Sequence, residues 1–269
     1  MERIATVSYG SRTVYSLKHR VVSWISKNLF DNVTYTVRNG LNKGLRRRGG
    51  LGWVPFEQEA TPEFQFWKEL DLKGKVVYDI GAFHGLLTLY FAKNAKQVVA
   101  WEPNPHNRKR LLENLKLNSF SNVTVRAYGL SSQVSQAQMS YDPLAPGTSS
   151  VDAKMVDTKI AKGMATETIE LRMLDQEENL ATPDLIKVDV EGFELEVLKG
   201  ATQTLNRRPT LFLEMHGADA EDKRRRVQEI VDHLWSSGYR NIIHVESKTK
   251  ITPENAPVAA KGHLYVRAQ

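Results

Sequence analysis

Cysteine is absent from this sequence of 269 residues. Its absence excludes disulfide bonds, thiolate metal ligands and cysteine nucleophiles. No apolar run approaches the roughly 18 residues that a membrane-spanning helix needs, and the N-terminus shows no signal-peptide core before a small-residue cleavage site. Apolar residues make up 41% and charged residues 25%, as in ordinary globular domains. We therefore expect a cytoplasmic protein without a transmembrane segment.

Acidic residues are scarce in the first fifth of the chain. Residues 1–55 contain ten Lys and Arg but only two acids, Glu2 and Asp31, so this segment carries +8 in a chain of net charge +6. Apolar residues at helical spacing over 14–29 predict an amphipathic helix, and residues 39–50 predict a flexible basic loop. Either an anionic partner contacts this segment or its charge forms a solvated face, and the sequence favours neither.

The remaining residues, 56–269, are enough for one large α/β domain. Thr61 and Asn104 each precede a proline and predict the N-termini of two helices. Residues 133–170 contain a Pro- and Gly-rich turn between Ser- and Thr-rich flanks, which predicts an inserted β-hairpin. Strands that alternate with helices elsewhere predict a parallel sheet whose ligand lies at the carboxyl ends of the strands.

The central motif of this domain lies in residues 76–102. Val76–Ile80 is a short apolar run typical of a buried strand, and Gly81 and Gly85 follow it. A helical pattern and a second buried strand come next, and that strand ends at Glu102. This order is that of a βαβ nucleotide-binding unit, in which an acid at the second strand end holds a ribose diol.

The glycine pattern of this unit argues against a dinucleotide. A dinucleotide fingerprint has a middle glycine that lets the backbone approach a pyrophosphate, and this chain lacks it. Asp79 stands two residues before Gly81, where a carboxylate would repel phosphate. These features suit a nucleoside ligand with an ammonium group and no phosphate, such as S-adenosylmethionine (SAM). The alternative is a βαβ unit whose glycines only form a turn.

Several motifs resemble those of the FkbM-type methyltransferases, which are SAM-dependent enzymes of the Rossmann-like class I fold. They are D-I-G-A-x-x-G from Asp79, W-E-P-N-P from Trp101, N-L-K-L-N from Asn114, the block from Lys187 to Ala201, and F-L-E-M-H from Phe212. The resemblance covers about residues 56–216. It implies a mostly parallel seven-stranded sheet with helices on both faces, a small helical N-terminal segment and the inserted hairpin.

The resemblance and the strand ends together predict the cofactor site. Glu102 is expected to hold the ribose, and residues 129–131 the adenine edge. His84 is expected to contact the cofactor through its backbone or only to fill space. The predicted cofactor-binding residues are Asp79, Gly81, Ala82, Phe83, His84, Gly85, Glu102, Pro103, Gly129, Leu130, Ser131 and Asp189.

Asp189, Glu214 and His216 are the predicted catalytic residues. Buried acids in apolar strands are costly unless they have a purpose, and methyl transfer to a hydroxyl needs a group that accepts a proton. His216 is the preferred base because imidazole titrates nearest neutral pH, and Glu214 orients it or holds the acceptor. The same three side chains are an alternative ligand set for a divalent cation, although we expect no metal. Asp189 alternatively caps a helix start.

The predicted reaction is O-methylation of a hydroxyl on a small molecule, a glycan or a glycosylated natural product. This acceptor class follows from the resemblance alone. An RNA methyltransferase is the alternative, but nucleic acid is not the expected partner, because the fourth strand ends in D-V-E-G-F and not in a Pro-Pro-aromatic loop. A non-enzymatic SAM-binding protein is the third interpretation. A homodimer is compatible with the resemblance, and the sequence does not determine the oligomeric state.

Overall fold

The structure is a computed structural model that describes residues 31–49, 61–142, 145–151 and 165–267. The helix predicted over residues 14–29 lies outside these ranges. The described strands are β1 (Thr34–Thr36), β2 (Arg46–Arg48), β3 (Val76–Ile80), β4 (Gln97–Trp101), β5 (Val123–Arg126), β6 (Gly129–Leu130), β7 (Ser135–Asp142), β8 (Ala145–Ser150), β9 (Ala165–Arg172), β10 (Leu185–Val188), β11 (Thr210–Glu214), β12 (Asn241–His244), β13 (Thr249–Ile251) and β14 (His263–Arg267).

Six α-helices pack around these strands in the described residues. They are α1 (Pro62–Glu69), α2 (Leu86–Asn94), α3 (Pro105–Leu117), α4 (Glu194–Lys199), α5 (Thr202–Asn206) and α6 (Ala220–Ser236). Thr61 caps α1 by accepting the Phe64 N–H, and Asn104 caps α3 with Pro105 at its first position, as the sequence predicted. None of the helices in the described ranges combines the length and apolarity that a bilayer crossing requires.

The central sheet has eight strands in the order β13-β12-β14-β11-β10-β3-β4-β5. The five strands β11, β10, β3, β4 and β5 are parallel to one another. β14 is antiparallel to both of its neighbours, β11 and β12. The predicted Rossmann-like class is confirmed, but the sheet has one strand more than the predicted seven. The additional strand, β13, is three residues long and pairs with the edge of β12, and such a short strand leaves no alternating pattern in the sequence.

The core forms on both faces of the sheet. On one face, Trp101 and Ile186 pack with Leu198 of α4 and Ile230 of α6. On the other face, Trp67 of α1 and Phe91 of α2 pack against Phe212. The strand β3 is buried along its whole length, because a parallel strand covered by helices on both sides has no solvent-facing side.

The inserted region is a second sheet rather than a single hairpin. The predicted hairpin is present as β7 and β8, and β9 pairs with β7 in antiparallel orientation. β9 also pairs in parallel with β6, a two-residue strand that follows β5 in the chain. Met139, Ile169 and Leu171 form the small apolar core of this second sheet.

The segment 31–49 contains a β-hairpin where the sequence predicted a flexible basic loop. β1 and β2 pair in antiparallel orientation, and β2 lies along α3. The N–H groups of Arg46 and Arg48 donate to the side chains of Asn118 and Asn114, each at 2.8 Å. The two asparagines lie one helical turn apart and supply the partners that a neighbouring strand would supply, which explains why this arginine run is extended.

Candidate active site

A cavity of about 280 Å³ opens at the carboxyl ends of β3, β4 and β10. Gly81 and Phe83 from the β3–α2 loop line it together with Glu102 at the end of β4. Met139, Ile169 and Leu171 of the second sheet line it with apolar side chains. The inserted region therefore covers the ligand side of the central sheet.

Seven of the predicted cofactor residues line this cavity. They are Gly81, Phe83, Glu102, Pro103, Gly129, Leu130 and Asp189. The other five, which are Asp79, Ala82, His84, Gly85 and Ser131, are not among the residues that line it. The lining also includes Trp101, Asn107, Ser150 and Phe193, which were not predicted. Trp101 and Phe193 belong to motifs already described, but a motif does not show which of its side chains face a cavity, and Asn107 and Ser150 belong to no such motif.

Glu102 connects the two halves of the βαβ unit. One carboxylate oxygen accepts the Phe83 N–H at 2.7 Å and the other accepts the Asn104 N–H at 2.9 Å. Burial raises the pKa of Glu102 to about 7, although these two backbone donors favour the charged form. A carboxylate oxygen has a second lone pair, so Glu102 keeps acceptor capacity toward a hydroxyl in the cavity.

Asp79 is directed into the protein and not into the cavity. It is fully buried, accepts a 2.6 Å hydrogen bond from the Thr88 hydroxyl and lies 3.3 Å from the ammonium of Lys187. This corrects the expectation that Asp79 meets the ammonium of a ligand. Lys187 stands beside Asp79 in the register of β10 and β3, and it also donates to the Gly81 carbonyl at 2.8 Å. The lysine within the apolar strand L-I-K-V was the sequence feature that could have predicted a buried acidic partner.

The glycines and the other predicted positions of this region have structural roles. Gly81 has φ +83°, and a Cβ there would lie 1.8 Å from the Asp189 carbonyl oxygen. Gly85 has φ +86° and begins α2, and Ala82 is buried. Ser131 donates its N–H to the Arg172 carbonyl.

His84 is a neutral packing residue at working pH. Its ring stacks on Phe83 with 3.8 Å between centroids. Burial, together with Arg47 and Arg110, lowers the pKa of His84 to about 3. The ring is therefore neutral and only a weak base near neutral pH, and the backbone or space-filling role expected for His84 stays a prediction.

The three predicted catalytic side chains lie together at adjacent strand ends. The Nε2 atom of His216 is 3.4 Å from a Glu214 oxygen and 3.9 Å from an Asp189 oxygen. Its Nδ1 atom is 2.9 Å from Glu194, a buried carboxylate that also accepts the Gly192 N–H. The ligand atoms of Asp189, Glu214 and His216 all lie within 4.8 Å of one another, as a metal site would require.

The charge of His216 differs from the expectation. Burial favours the neutral ring, but hydrogen bonds with Glu194 and Glu214 outweigh it and raise the pKa of His216 well above its usual value. His216 is therefore an imidazolium at neutral pH, which contradicts the prediction that it titrates there as the base. Three carboxylates that surround one imidazole stabilise its proton, and the sequence spacing does not show this convergence.

A second buried histidine extends the cluster. His263 of β14 lies opposite Glu214 in the sheet register, and its Nε2 atom is 3.7 Å from Glu214 and 3.9 Å from Glu63. Its Nδ1 atom is 2.6 Å from Glu246. Hydrogen bonds with Glu214 and Glu246 overcome burial and raise the pKa of His263 to about 10. No sequence motif joins these residues, because they come from α1, β14 and the loop after β12.

The sheet order, the glycine loop and the acid at the end of β4 define a Rossmann-like protein of the class I methyltransferase type. A family model described as the methyltransferase FkbM domain matches residues 79–241, more than half of the chain. The chain belongs to the FkbM methyltransferase family, which confirms the resemblance seen in its motifs.

Named relatives show how far this similarity extends. The hexuronic acid methyltransferase AglP of Haloferax volcanii is 32% identical over 184 residues, which cover 61% of this chain and 72% of that protein. Methyltransferase sdnD of Sordaria araneosa is 32% identical over 156 residues, or 47% of this chain and 60% of that protein. A solved structure of an FkbM methyltransferase from Methylobacillus flagellatus aligns at 20% identity with a TM-score of 0.46, and the alignment covers 72% of this chain and 43% of that one.

Proposed function

We propose that this methyltransferase uses SAM and methylates a hydroxyl group of a glycan, a glycosylated natural product or another small molecule. The observation that carries the proposal is the position of Asp189. Asp189 lines the same cavity as Glu102, and its carboxylate belongs to the ionic cluster of Glu214 and His216. One side chain thus joins the proposed cofactor site to a group of charged residues suited to an acceptor.

The cavity fits the adenosine part of SAM. Its wall is mostly apolar, as a purine requires, and Glu102 offers acceptor lone pairs for ribose hydroxyls. When bound, SAM supplies a methyl group on a positively charged sulfur. We propose that Gly81, Phe83, Glu102, Pro103, Gly129, Leu130 and Asp189 hold it, and that Lys187 and Gly85 keep the surrounding loop in place.

Asp189 is the group we assign as proton acceptor. The acceptor oxygen gains the methyl group, and its proton passes to the Asp189 carboxylate. Burial raises the pKa of Asp189 above its usual value, against the opposing effects of Lys187 and His216, which makes it a stronger base than an ordinary carboxylate. His216 is already protonated, so in this assignment it orients the acids and does not accept the proton.

Glu214 is assigned to hold the acceptor. Its side chain is 39% exposed. Burial is outweighed by hydrogen bonds with His216 and His263, which lower the pKa of Glu214 far below its usual value. An ionised carboxylate accepts hydrogen bonds from hydroxyl groups and repels anions. The relative AglP is named for a hexuronic acid, and we propose that the acceptor of this chain presents hydroxyls, not a carboxylate or phosphates, toward β11.

The proposal is tested by methyl transfer onto fractionated material from the source cell. Purified protein is incubated with SAM that carries a tritiated methyl group, and label is followed in RNA, glycan and small-molecule fractions. We expect label in glycan or small molecules as an ether that survives mild alkali, and a labelling rate lower by a factor on the order of 10²–10⁴ with the Asp189→Asn variant. Label in RNA, an alkali-labile ester, or SAM binding without any turnover would each contradict the proposal.

A further inference from the structure

The hairpin β1–β2 is tied to the loop between β3 and α2 by one buried side chain. Asn114 of α3 is fully buried. Its Oδ1 atom accepts the Arg48 N–H of β2 at 2.8 Å, and its Nδ2 atom donates to the His84 carbonyl at 2.9 Å. One amide group therefore contacts both the N-terminal hairpin and the loop that lines the cavity.

A second contact ties the hairpin to the same loop. Asn42, between β1 and β2, is buried, and its amide donates to the Leu86 carbonyl at 2.7 Å. The two carbonyls held in this way, those of His84 and Leu86, flank Gly85 at the start of α2. The hairpin thus fixes the loop on either side of the glycine where the chain turns into the helix.

The residue next to this contact has an unfavourable backbone conformation. Phe83 has φ +50°, a region that costs a residue with a side chain roughly 1–2 kcal/mol. In this conformation its N–H donates to Glu102 at 2.7 Å and its side chain lines the cavity. Such a conformation persists only where neighbouring contacts hold it, and the contact from Asn114 to His84 lies one residue away.

Asn118 is a useful comparison, because it contacts the hairpin but not the loop that lines the cavity. It lies one turn further along α3, accepts the Arg46 N–H at 2.8 Å and donates to the Arg46 carbonyl at 2.7 Å. It also donates to the Asn114 carbonyl in the preceding turn, and none of these partners belongs to the cavity loop. Docking of β2 therefore does not explain the bond from Asn114 to His84.

We propose that Asn114 is a positioning residue for the cofactor site. It holds the loop in the conformation in which Phe83 meets Glu102, and it makes cofactor affinity depend on the hairpin formed by residues 31–49. The inference rests on the proposed function for the identity of the cofactor.

The test is the variant Asn114→Asp. Aspartate keeps an oxygen that accepts the Arg48 N–H but loses the N–H that donates to His84. The matched control is Asn118→Asp, which keeps the acceptor for Arg46 and loses the equivalent donor on the same helix. We expect SAM affinity, measured by calorimetry on the full chain, to fall about fivefold or more in Asn114→Asp, the factor that one net hydrogen bond corresponds to. The control should stay within about twofold.

Hydrogen exchange of the peptide that spans residues 82–87 gives a readout that needs no cofactor. We expect faster exchange in Asn114→Asp than in Asn118→Asp, because the Phe83 N–H loses its partner when the loop relaxes. Because a carboxylate at the fully buried position 114 is costly, the uncharged pair Asn114→Ala and Asn118→Ala is compared in the same two measurements. Equal effects of the two variants, or unchanged exchange and affinity in Asn114→Asp, would overturn the inference. If the wild type binds no SAM, the proposed function fails, and the exchange comparison still decides the role of Asn114.

Discussion

The affinity for the cofactor should depend on pH through Glu102. The carboxylate is buried at the end of β4 with a pKa raised to about 7, and two backbone N–H groups already donate to it. The charged form accepts hydrogen bonds from both ribose hydroxyls, whereas the protonated form turns one oxygen into a donor. We therefore expect SAM to bind best when Glu102 is ionised and to lower its pKa on binding.

The size of the effect follows from that pKa. With a pKa of about 7, roughly 10% of the unligated protein is ionised at pH 6 and roughly 90% at pH 8. The affinity should therefore be about tenfold tighter at pH 8 than at pH 6, and binding at pH 7 should release about half a proton. The Glu102→Ala variant should bind at least about tenfold more weakly at pH 8, because it lacks charge-assisted hydrogen bonds.

The stability of the unligated protein should decrease as pH rises, whereas the affinity for SAM should increase. Because burial raises the pKa from 4.5 to about 7, the folded chain takes up a proton in this interval that the unfolded chain does not. The contribution of Glu102 to the free energy of unfolding is therefore highest below about pH 4.5 and declines by roughly 3 kcal/mol as pH rises to about 7. Denaturant unfolding of wild type and Glu102→Ala at several pH values measures this difference.

Calorimetry at pH 6, 7 and 8 tests the binding prediction, with two buffers of different ionisation enthalpy at pH 7. Methylthioadenosine, which has the nucleoside but no amino acid, isolates Glu102 from titration of the ligand ammonium and of Asp189. A flat affinity for this ligand across the range, with heats that do not depend on the buffer, would refute the argument. It would mean that Glu102 is ionised throughout or does not contact the ribose.

Further predictions concern the acceptor side and the loop. The Asp189→Asn variant should bind SAM but lose a factor on the order of 10²–10⁴ in turnover, because it lacks the proton acceptor; turnover close to wild type would remove Asp189 from that role. Turnover should survive EDTA, because the raised pKa of His216 favours a proton on the ring over a metal ion. Loss of activity with rescue by magnesium would show instead that a cation bound by Asp189, Glu214 and His216 activates the acceptor hydroxyl. Gly81→Ala should abolish folding or SAM binding, because its Cβ would lie 1.8 Å from a backbone oxygen, whereas Gly74→Ala, at φ +74° with nothing within 4 Å, should cost only about 1–2 kcal/mol in thermal unfolding. Equal losses of stability in the two glycine variants would contradict that reasoning.

Local signals in the sequence were enough to predict the central βαβ unit and two helix N-termini. The buried run Val76–Ile80, the two glycines after it and the acid at Glu102 predicted the βαβ unit, and Thr61 and Asn104 predicted two helix starts. These features depend on residues a few positions apart, where periodicity, capping and positive φ act directly. Most of the residues predicted for the cofactor also line the cavity for this reason, since strand ends in a parallel sheet meet at one edge.

Only the tertiary structure decided which charges face each other. Asp79 pairs with Lys187, which lies more than 100 positions away in the chain, and so it turns inward from the cavity. Glu194 and Glu214 stabilise the protonated ring of His216. His263 lies near Glu214 and also near Glu63 of α1 and Glu246 of the loop after β12. A pKa depends on burial and on neighbours within a few ångströms, whichever part of the chain supplies them. The hairpin of residues 31–49 is extended for a similar reason, because asparagines on a distant helix supply its hydrogen-bond partners.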